Sequence, residues 1–162
     1  MNDDKNIRLD RMRFTKNTAS SSLALLAILF NVFFFVSIYK SDVGSWYYTI
    51  LIGASIIYNL VFMLAVFLAS EGVKNYNLSY SYLLFVVGAI QIIRIFILPM
   101  KAHGATITVK DEVLSVMSDG QFFRVIAYLL ISAACLFASG VINYQKSTAL
   151  NAYISSMNEN KA

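Results

Sequence analysis

The sequence is poor in charged residues and in the residues that usually build disulfides or metal sites. Only 14% of its 162 residues are charged, whereas a soluble domain usually has about 25%. Proline, cysteine and histidine occur once each, as Pro99, Cys135 and His103. A single cysteine excludes an intrachain disulfide, and a single histidine excludes a histidine-rich metal site. These shortages argue against a soluble globular protein and against a metalloenzyme.

The usual signatures of enzymes and nucleic-acid-binding proteins are missing as well. The chain has no Walker loop and no GxGxxG, HExxH or CxxC motif. Its long apolar runs contain no Asp or Glu, which removes the paired carboxylates that acid–base or proton-coupled chemistry would need. The net charge of +4 owes much to a basic N-terminal segment, a pattern typical of a topology determinant. We therefore expect no enzyme activity, no cofactor, no metal and no nucleic-acid partner.

What the chain does have is apolar residues, gathered in four long runs. Hydrophobic residues make up 58% of the chain, and its mean hydropathy is +0.63. Each run holds about 18–25 residues, enough at ~1.5 Å per residue to cross a hydrocarbon core of roughly 30 Å. Because the links are mostly short, neighbouring spans should be antiparallel. We predict an all-α integral membrane protein, an antiparallel four-helix transmembrane bundle with spans at about 19–39, 46–70, 78–99 and 122–144.

The segments between and beyond these spans are short and polar. Residues 1–18 should lie partly helical along the membrane surface. Residues 100–121 form the longest connection, an outer loop in which TITV could be extended and 111–117 could form a short interfacial helix. The tail, residues 145–162, is polar and expected to be frayed. Pro99 should end the third span, because proline cannot continue a helix without losing a backbone hydrogen bond.

The distribution of lysine and arginine predicts the orientation. With the N-terminus inside, the inner segments carry eight of these cations and the outer side carries four. The inner cations are Lys5, Arg8, Arg11, Arg13, Lys16, Lys74, Lys146 and Lys161, and the outer ones are Lys40, Lys101, Lys110 and Arg124. This bias predicts that both termini are cytoplasmic. The compact loops suit a multi-pass protein of a bacterial inner (plasma) membrane.

Apart from Arg124 at the boundary of the fourth run, Arg94 is the only charged side chain inside any of the four runs. It lies about five residues beyond the middle of the third span, or roughly 8 Å toward the outer face. From there it could snorkel toward the headgroups. Within the chain it could instead meet an outer acid, a backbone carbonyl, or Asn and Gln side chains. A carboxylate of another subunit or an anionic ligand is the remaining alternative, and we expect a partner protein.

Three further residues belong to this hypothetical contact site. Gly88, Gln91 and Arg94 share one helical stripe, in which the glycine permits close approach of a neighbouring helix. Arg124 begins the fourth span on the same side of the membrane. Two guanidinium groups there could clamp a carboxylate or phosphate, although Arg124 would also serve as an interfacial anchor.

Polar and small residues within the spans predict helix–helix contacts. Asn31 and Asn59 lie near mid-depth, where interhelical hydrogen bonds worth around 0.6 kcal/mol each are a commoner use than a polar path. In the fourth span, small residues mark a predicted contact face: Ser132, Cys135, Ser139, Ala134 and Ala138.

Three functions fit this sequence. The first is a non-catalytic integral membrane subunit that docks against a larger membrane complex, such as a transport complex, and stabilises or regulates it. The second is a small oligomeric transporter with a polar or anion-binding site around Gln91 and Arg94. The third is a membrane sensor or ligand-binding module that uses the outer loop 100–121. In each case the partners are the lipid bilayer and another integral membrane protein or a second copy of the chain.

Overall fold

The computed structural model describes the backbone of residues 2–38, 46–109, 112–115 and 117–159. This part of the chain is helical apart from one short hairpin. The predicted link at 40–45 lies outside the described residues. The helices are α1 (Asn2–Met12), α2 (Thr18–Ile38), α3 (Trp46–Lys74), α4 (Ser79–Ile97), α5 (Pro99–His103) and α6 (Asp119–Glu159), and the strands are β1 (Thr106–Val109) and β2 (Glu112–Ser115).

Four helical stretches are long and apolar enough to cross a membrane: α2, α3, α4 continued by α5, and α6. The prediction of a helical multi-pass membrane protein is confirmed to this extent. The distribution of side chains agrees with it, because large apolar residues cover the outside while polar ones are buried. Ile57, Leu64 and Phe96 are each more than 60% exposed, whereas Gln91 and Asn31 are fully buried. Such a surface suits lipid, which lacks partners for polar groups.

Two helices continue beyond the predicted spans. α3 ends at Lys74 instead of residue 70, and α6 continues to Glu159. The prediction of a frayed tail was therefore wrong for residues 145–159. Burial explains the difference, because Ser147 and Leu150 are buried well after the apolar run ends. The N-terminal α1 lies along this extension, and the two segments share a cavity lined by Ile7 and Tyr153.

The connection between α4 and α6 begins with α5 and continues as the hairpin. Pro99 is the first residue of α5, so α4 ends where the proline predicted it would. The strands β1 and β2 pair antiparallel, with Thr106 opposite Ser115 and Val109 opposite Glu112. The helix expected at 111–117 is thus wrong, and the extended TITV segment is found. β-branched residues in both strands favour this outcome.

Hydrogen bonds connect α2 to α6. Ser20 and Ser139 each donate from Oγ to the other's backbone carbonyl, at 2.7 Å in both directions. At the other end of α2, Gln121 Nε2 donates to the carbonyl of Ser37 at 2.8 Å. Residue numbers therefore rise along α2 as they fall along α6. The close approach at the serine pair is possible because both side chains are small and bond to the opposing backbone.

Two glycine–phenylalanine pairs form the contact between α4 and α6. A Cβ at Gly88 would lie 3.3 Å from the ring of Phe137, and a Cβ at Gly140 would lie 2.7 Å from the ring of Phe85. The two rings stack, with centroids 6.3 Å apart. Each helix thus offers a glycine to receive the phenylalanine of the other, and the stacking limits how far either ring can move.

We expect Gly140→Ala to lower the free energy of unfolding by about 1–3 kcal/mol, the usual cost of overpacking a filled interface. The added methyl group would force Phe85 away from Phe137. Gly53→Ala is the matched control, because nothing lies within 4 Å of a Cβ at Gly53. Alanine there should be neutral or stabilising by up to about 1 kcal/mol through helix propensity. Unfolding by SDS titration in mixed micelles measures both, and equal effects would contradict the packing described.

Candidate functional site

Arg94 lies in the interior of the bundle. Its side chain comes from α4, and the residue is only 6% exposed. Nη1 donates to Asn31 Oδ1 at 3.0 Å and to Gln91 Oε1 at 3.4 Å. Nη2 donates to Ser55 Oγ at 3.0 Å. These contacts join the guanidinium to α2 and α3 as well as to its own helix.

Two aromatic rings enclose the same guanidinium. Its Cζ lies 4.3 Å from the centroid of Phe34 and 4.6 Å from that of Tyr58. A cation over an aromatic face is stabilised by the ring quadrupole, by about 2 kcal/mol when the pair is desolvated. The rings therefore stabilise a charge that the bilayer interior would otherwise disfavour.

The acceptors of Arg94 belong to a wider hydrogen-bonded network. Asn31 also accepts from Gln91 Nε2 at 3.1 Å and donates to Asn59 Oδ1 at 3.0 Å. Gln91 Nε2 lies 3.3 Å from Ser132 Oγ. We call this set the central polar layer, and it comprises Asn31, Ser55, Asn59, Gln91, Arg94 and Ser132. Since its members come from α2, α3, α4 and α6, it connects all four long helices.

This geometry corrects the expected surroundings of Arg94. The guanidinium points into the bundle instead of snorkelling toward the headgroups. Of the alternatives open at the level of sequence, Asn and Gln side chains are among the contacts that Arg94 makes. These contacts all lie within one chain, and the expectation that a partner protein meets Arg94 stays a prediction. Gly88 likewise faces α6 of the same chain.

Arg124 does not join this site. It is exposed and lines a cavity between α2 and α6, beside Phe33 and Tyr128. The cavity beside Arg94 lies between α3 and α4 instead. The structure does not bring the two arginines of the hypothetical clamp together, because their side chains line different cavities.

The predicted contact face of α6 is divided. Ser132 and Ser139 are fully buried against α2, and Cys135 is half-buried beside the core. Ala134 and Ala138 are exposed on the outside. Spacing alone could not separate the two sets, because both small-residue patterns fit a helical repeat.

A second group of buried polar residues lies near the other end of the bundle. Asn143 Nδ2 donates to Ser81 Oγ at 2.8 Å and to the carbonyl of Asn77 at 2.9 Å. Its Oδ1 accepts from Asn17 Nδ2 at 3.3 Å and from Ser147 Oγ at 3.2 Å. We call Asn17, Ser81, Asn143 and Ser147 the terminal polar layer. This layer was not predicted from the sequence, because polar residues at span ends ordinarily meet headgroups.

An apolar layer separates the two polar layers. All four long helices contribute buried members to it: Ala24 and Ala27 on α2, Phe62, Val66, Ala69 and Val73 on α3, Leu84 and Val87 on α4, and Leu136 on α6. A second apolar cluster closes the hairpin side of the central polar layer: Phe34, Ile38, Ile95, Leu98, Ala102, Met117, Val125 and Leu129. The central polar layer is thus enclosed between apolar residues on both sides.

The buried polar side chains of the described residues are hydrogen-bonded. Within the described part of the chain, every buried side-chain nitrogen and oxygen has a hydrogen-bond partner. In the same residues no cluster of three or more His, Cys, Asp or Glu could hold a metal ion. The Nε2 atom of His103 lies 2.8 Å from Asp119 Oδ1, and its ring stacks on that of Phe122 with the centroids 4.2 Å apart. It therefore links α5 to the start of α6.

Sequence reasoning missed three partners of Arg94: Phe34, Ser55 and Tyr58. Ser55 lies four residues before Asn59, and Tyr58 lies immediately before Asn59. Asn59 donates to the backbone carbonyl of Ser55 at 2.8 Å. The i, i+4 spacing of two polar residues on one apolar helix is the signal that could have found Ser55.

A cavity of about 210 Å³ lies beside Arg94, between α3 and α4. Its lining residues are Ala54, Ser55, Tyr58, Ile90, Ile93, Arg94, Ile97 and Leu98. The small side chains of α3 leave this space, since a Cβ at the adjacent Gly53 would also meet nothing.

Comparisons with protein-family models, with curated proteins and with solved structures give no match to this chain.

Proposed function

We propose that this protein is a non-catalytic integral membrane subunit, which docks in the bilayer against a larger membrane complex and stabilises or regulates it. The observation that carries the proposal is the layered interior. The central polar layer is hydrogen-bonded within the chain and enclosed by apolar layers. A substrate crossing the bundle would have to break those bonds and pass the apolar layers. A bundle built in this way acts through its surface.

The surface offers a large area for such docking. Exposed aliphatic and aromatic residues cover α3, which uses less of its own surface inside the bundle than α2 or α4 does. In lipid, helix association depends on packing rather than on the hydrophobic effect. A transport complex is the host that we favour.

We further propose that the four helices form an antiparallel bundle in a bacterial inner membrane with both termini cytoplasmic. The lysine and arginine bias supports this orientation. It places α1 and the extension of α6 in the cytoplasm, and it places the hairpin outside.

The test is purification of the tagged protein from native membranes in a mild detergent. We expect a larger membrane protein to be recovered with it in fixed stoichiometry. A tagged four-helix membrane protein of unrelated sequence, expressed at the same level, is the control for non-specific capture. Recovery of the chain only as a self-oligomer, together with substrate flux after reconstitution alone, would contradict the proposal and favour a small transporter.

A further inference from the structure

We propose that the cavity between α3 and α4 binds a single-chain amphiphile with an anionic headgroup, which reaches it laterally from the bilayer. This inference goes beyond the subunit proposal and does not depend on it. The cavity combines a buried positive charge with an apolar rim, and these two features define the ligand class.

The first feature is the charge in its wall. Arg94 is more than nine-tenths buried and lines the cavity together with the side chain of Ser55. A guanidinium has five N–H donors in a planar fork that matches a carboxylate or a phosphate. Its attraction for an anion is strong at this position, because lipid and protein around it screen charge far less than water does.

The guanidinium is also held in a fixed place. Asn31 and Ser55 accept hydrogen bonds from it, and Phe34 and Tyr58 enclose it. An anion that arrives in the cavity therefore meets an oriented donor group. The ordering of a long, flexible side chain has already occurred in the free protein.

The second feature is the apolar rim. Ile90, Ile93 and Ile97 line the cavity and are 39%, 57% and 48% exposed on the outer surface. They lie at i, i+3 and i+7, so they form one stripe of α4 that leads from the cavity to the lipid. An aliphatic chain can lie along this stripe while its headgroup occupies the cavity.

The volume limits what enters. An engineered cavity of about 150 Å³ holds benzene, so a cavity of about 210 Å³ has room for a small headgroup and the first few methylene groups. It has no room for a whole diacyl phospholipid. The rest of the ligand must stay in the bilayer, and the single isoleucine stripe of α4 accommodates one aliphatic chain, which is why the ligand is a single-chain amphiphile.

The experiment measures binding of tritiated palmitate to the purified full-length protein in phosphatidylcholine nanodiscs, with empty nanodiscs as the background. We expect saturable binding that Ala54→Leu reduces at least tenfold, because leucine fills the cavity without touching the hydrogen bonds of Arg94. Ala127→Leu, at an exposed position of α6, is the matched control and should leave binding unchanged. If Ala54→Leu does not fold, Ile97→Phe on the rim should cause the same loss.

Competition separates the possible ligands. Hexadecyl phosphate should compete with palmitate, whereas hexadecanol, which has the same chain without the charge, should compete at least tenfold less well. Equal competition by hexadecanol would overturn the role of the charge. Displacement by millimolar inorganic phosphate would overturn lateral access in favour of a soluble anion. Undiminished binding by a folded Ala54→Leu or Ile97→Phe variant would overturn the site itself.

Discussion

Asn31→Leu is expected to lower the free energy of unfolding by about 2–4 kcal/mol, the cost of leaving a buried charged group without its acceptor. Asn31 is fully buried. Its Oδ1 accepts from Arg94 at 3.0 Å and from Gln91 at 3.1 Å. Leucine has a similar size but cannot accept a hydrogen bond. SDS titration of the purified protein, followed by far-UV circular dichroism, measures the loss.

The matched control for this substitution is Asn75→Leu. Asn75 is exposed and donates only to the nearby carbonyl of Glu71. Its replacement should change stability by no more than about 0.5 kcal/mol, as surface substitutions usually do. Similar effects of the two substitutions would mean that the central polar layer does not stabilise the bundle.

Asn143→Leu is expected to lower the free energy of unfolding by about 2 kcal/mol. Asn143 makes four hydrogen bonds in the terminal polar layer, and each such bond contributes around 0.6 kcal/mol in a membrane protein. Its partners are Asn17 just before α2, Ser147 on α6, and Asn77 and Ser81 at the start of α4. The substitution should therefore loosen the end of the bundle at which these helices meet, and the same SDS titration measures it.

Asn151→Leu provides the control on the same helix, because Asn151 is exposed on the extension of α6. Amide hydrogen exchange distinguishes a local effect from a global one. Faster exchange in Asn143→Leu should concentrate at the ends of α2, α4 and α6 that meet Asn143. An unchanged exchange pattern with unchanged stability would show that the terminal polar layer contributes nothing.

The positions of the four spans could be predicted from the sequence, because each depends on a local property. An apolar run of sufficient length must be helical in lipid, whatever its neighbours are. Pro99 ends α4 for an equally local reason, since it lacks a backbone N–H. The polar character of the central residues was visible as well, with Asn31, Asn59, Gln91 and Arg94 all inside apolar runs.

The partners of these residues could not be predicted, because they depend on which helix faces lie together. Arg94 and Asn31 are 63 positions apart in sequence, and only the packing of α2 and α4 against the same two helices, α3 and α6, brings them within 3.0 Å. The continuation of α6 to Glu159 likewise depends on tertiary contacts, since Leu150 is buried although its segment has no long apolar run. A hydrophobic pattern predicts which apolar residues are buried, but it does not predict the direction of the Arg94 side chain.

Arg94 is held by side chains of its own chain. The coupling free energy between Asn31 and Arg94, from a double-mutant cycle of Asn31→Leu and Arg94→Leu, tests this most directly in purified protein without a partner. We expect a coupling of at least about 1 kcal/mol, as for residues in contact, with Arg94→Leu relieving part of the cost of Asn31→Leu. Additive effects of the two substitutions would contradict a stabilising contact between Asn31 and Arg94 and would indicate that Arg94 is held by something other than Asn31.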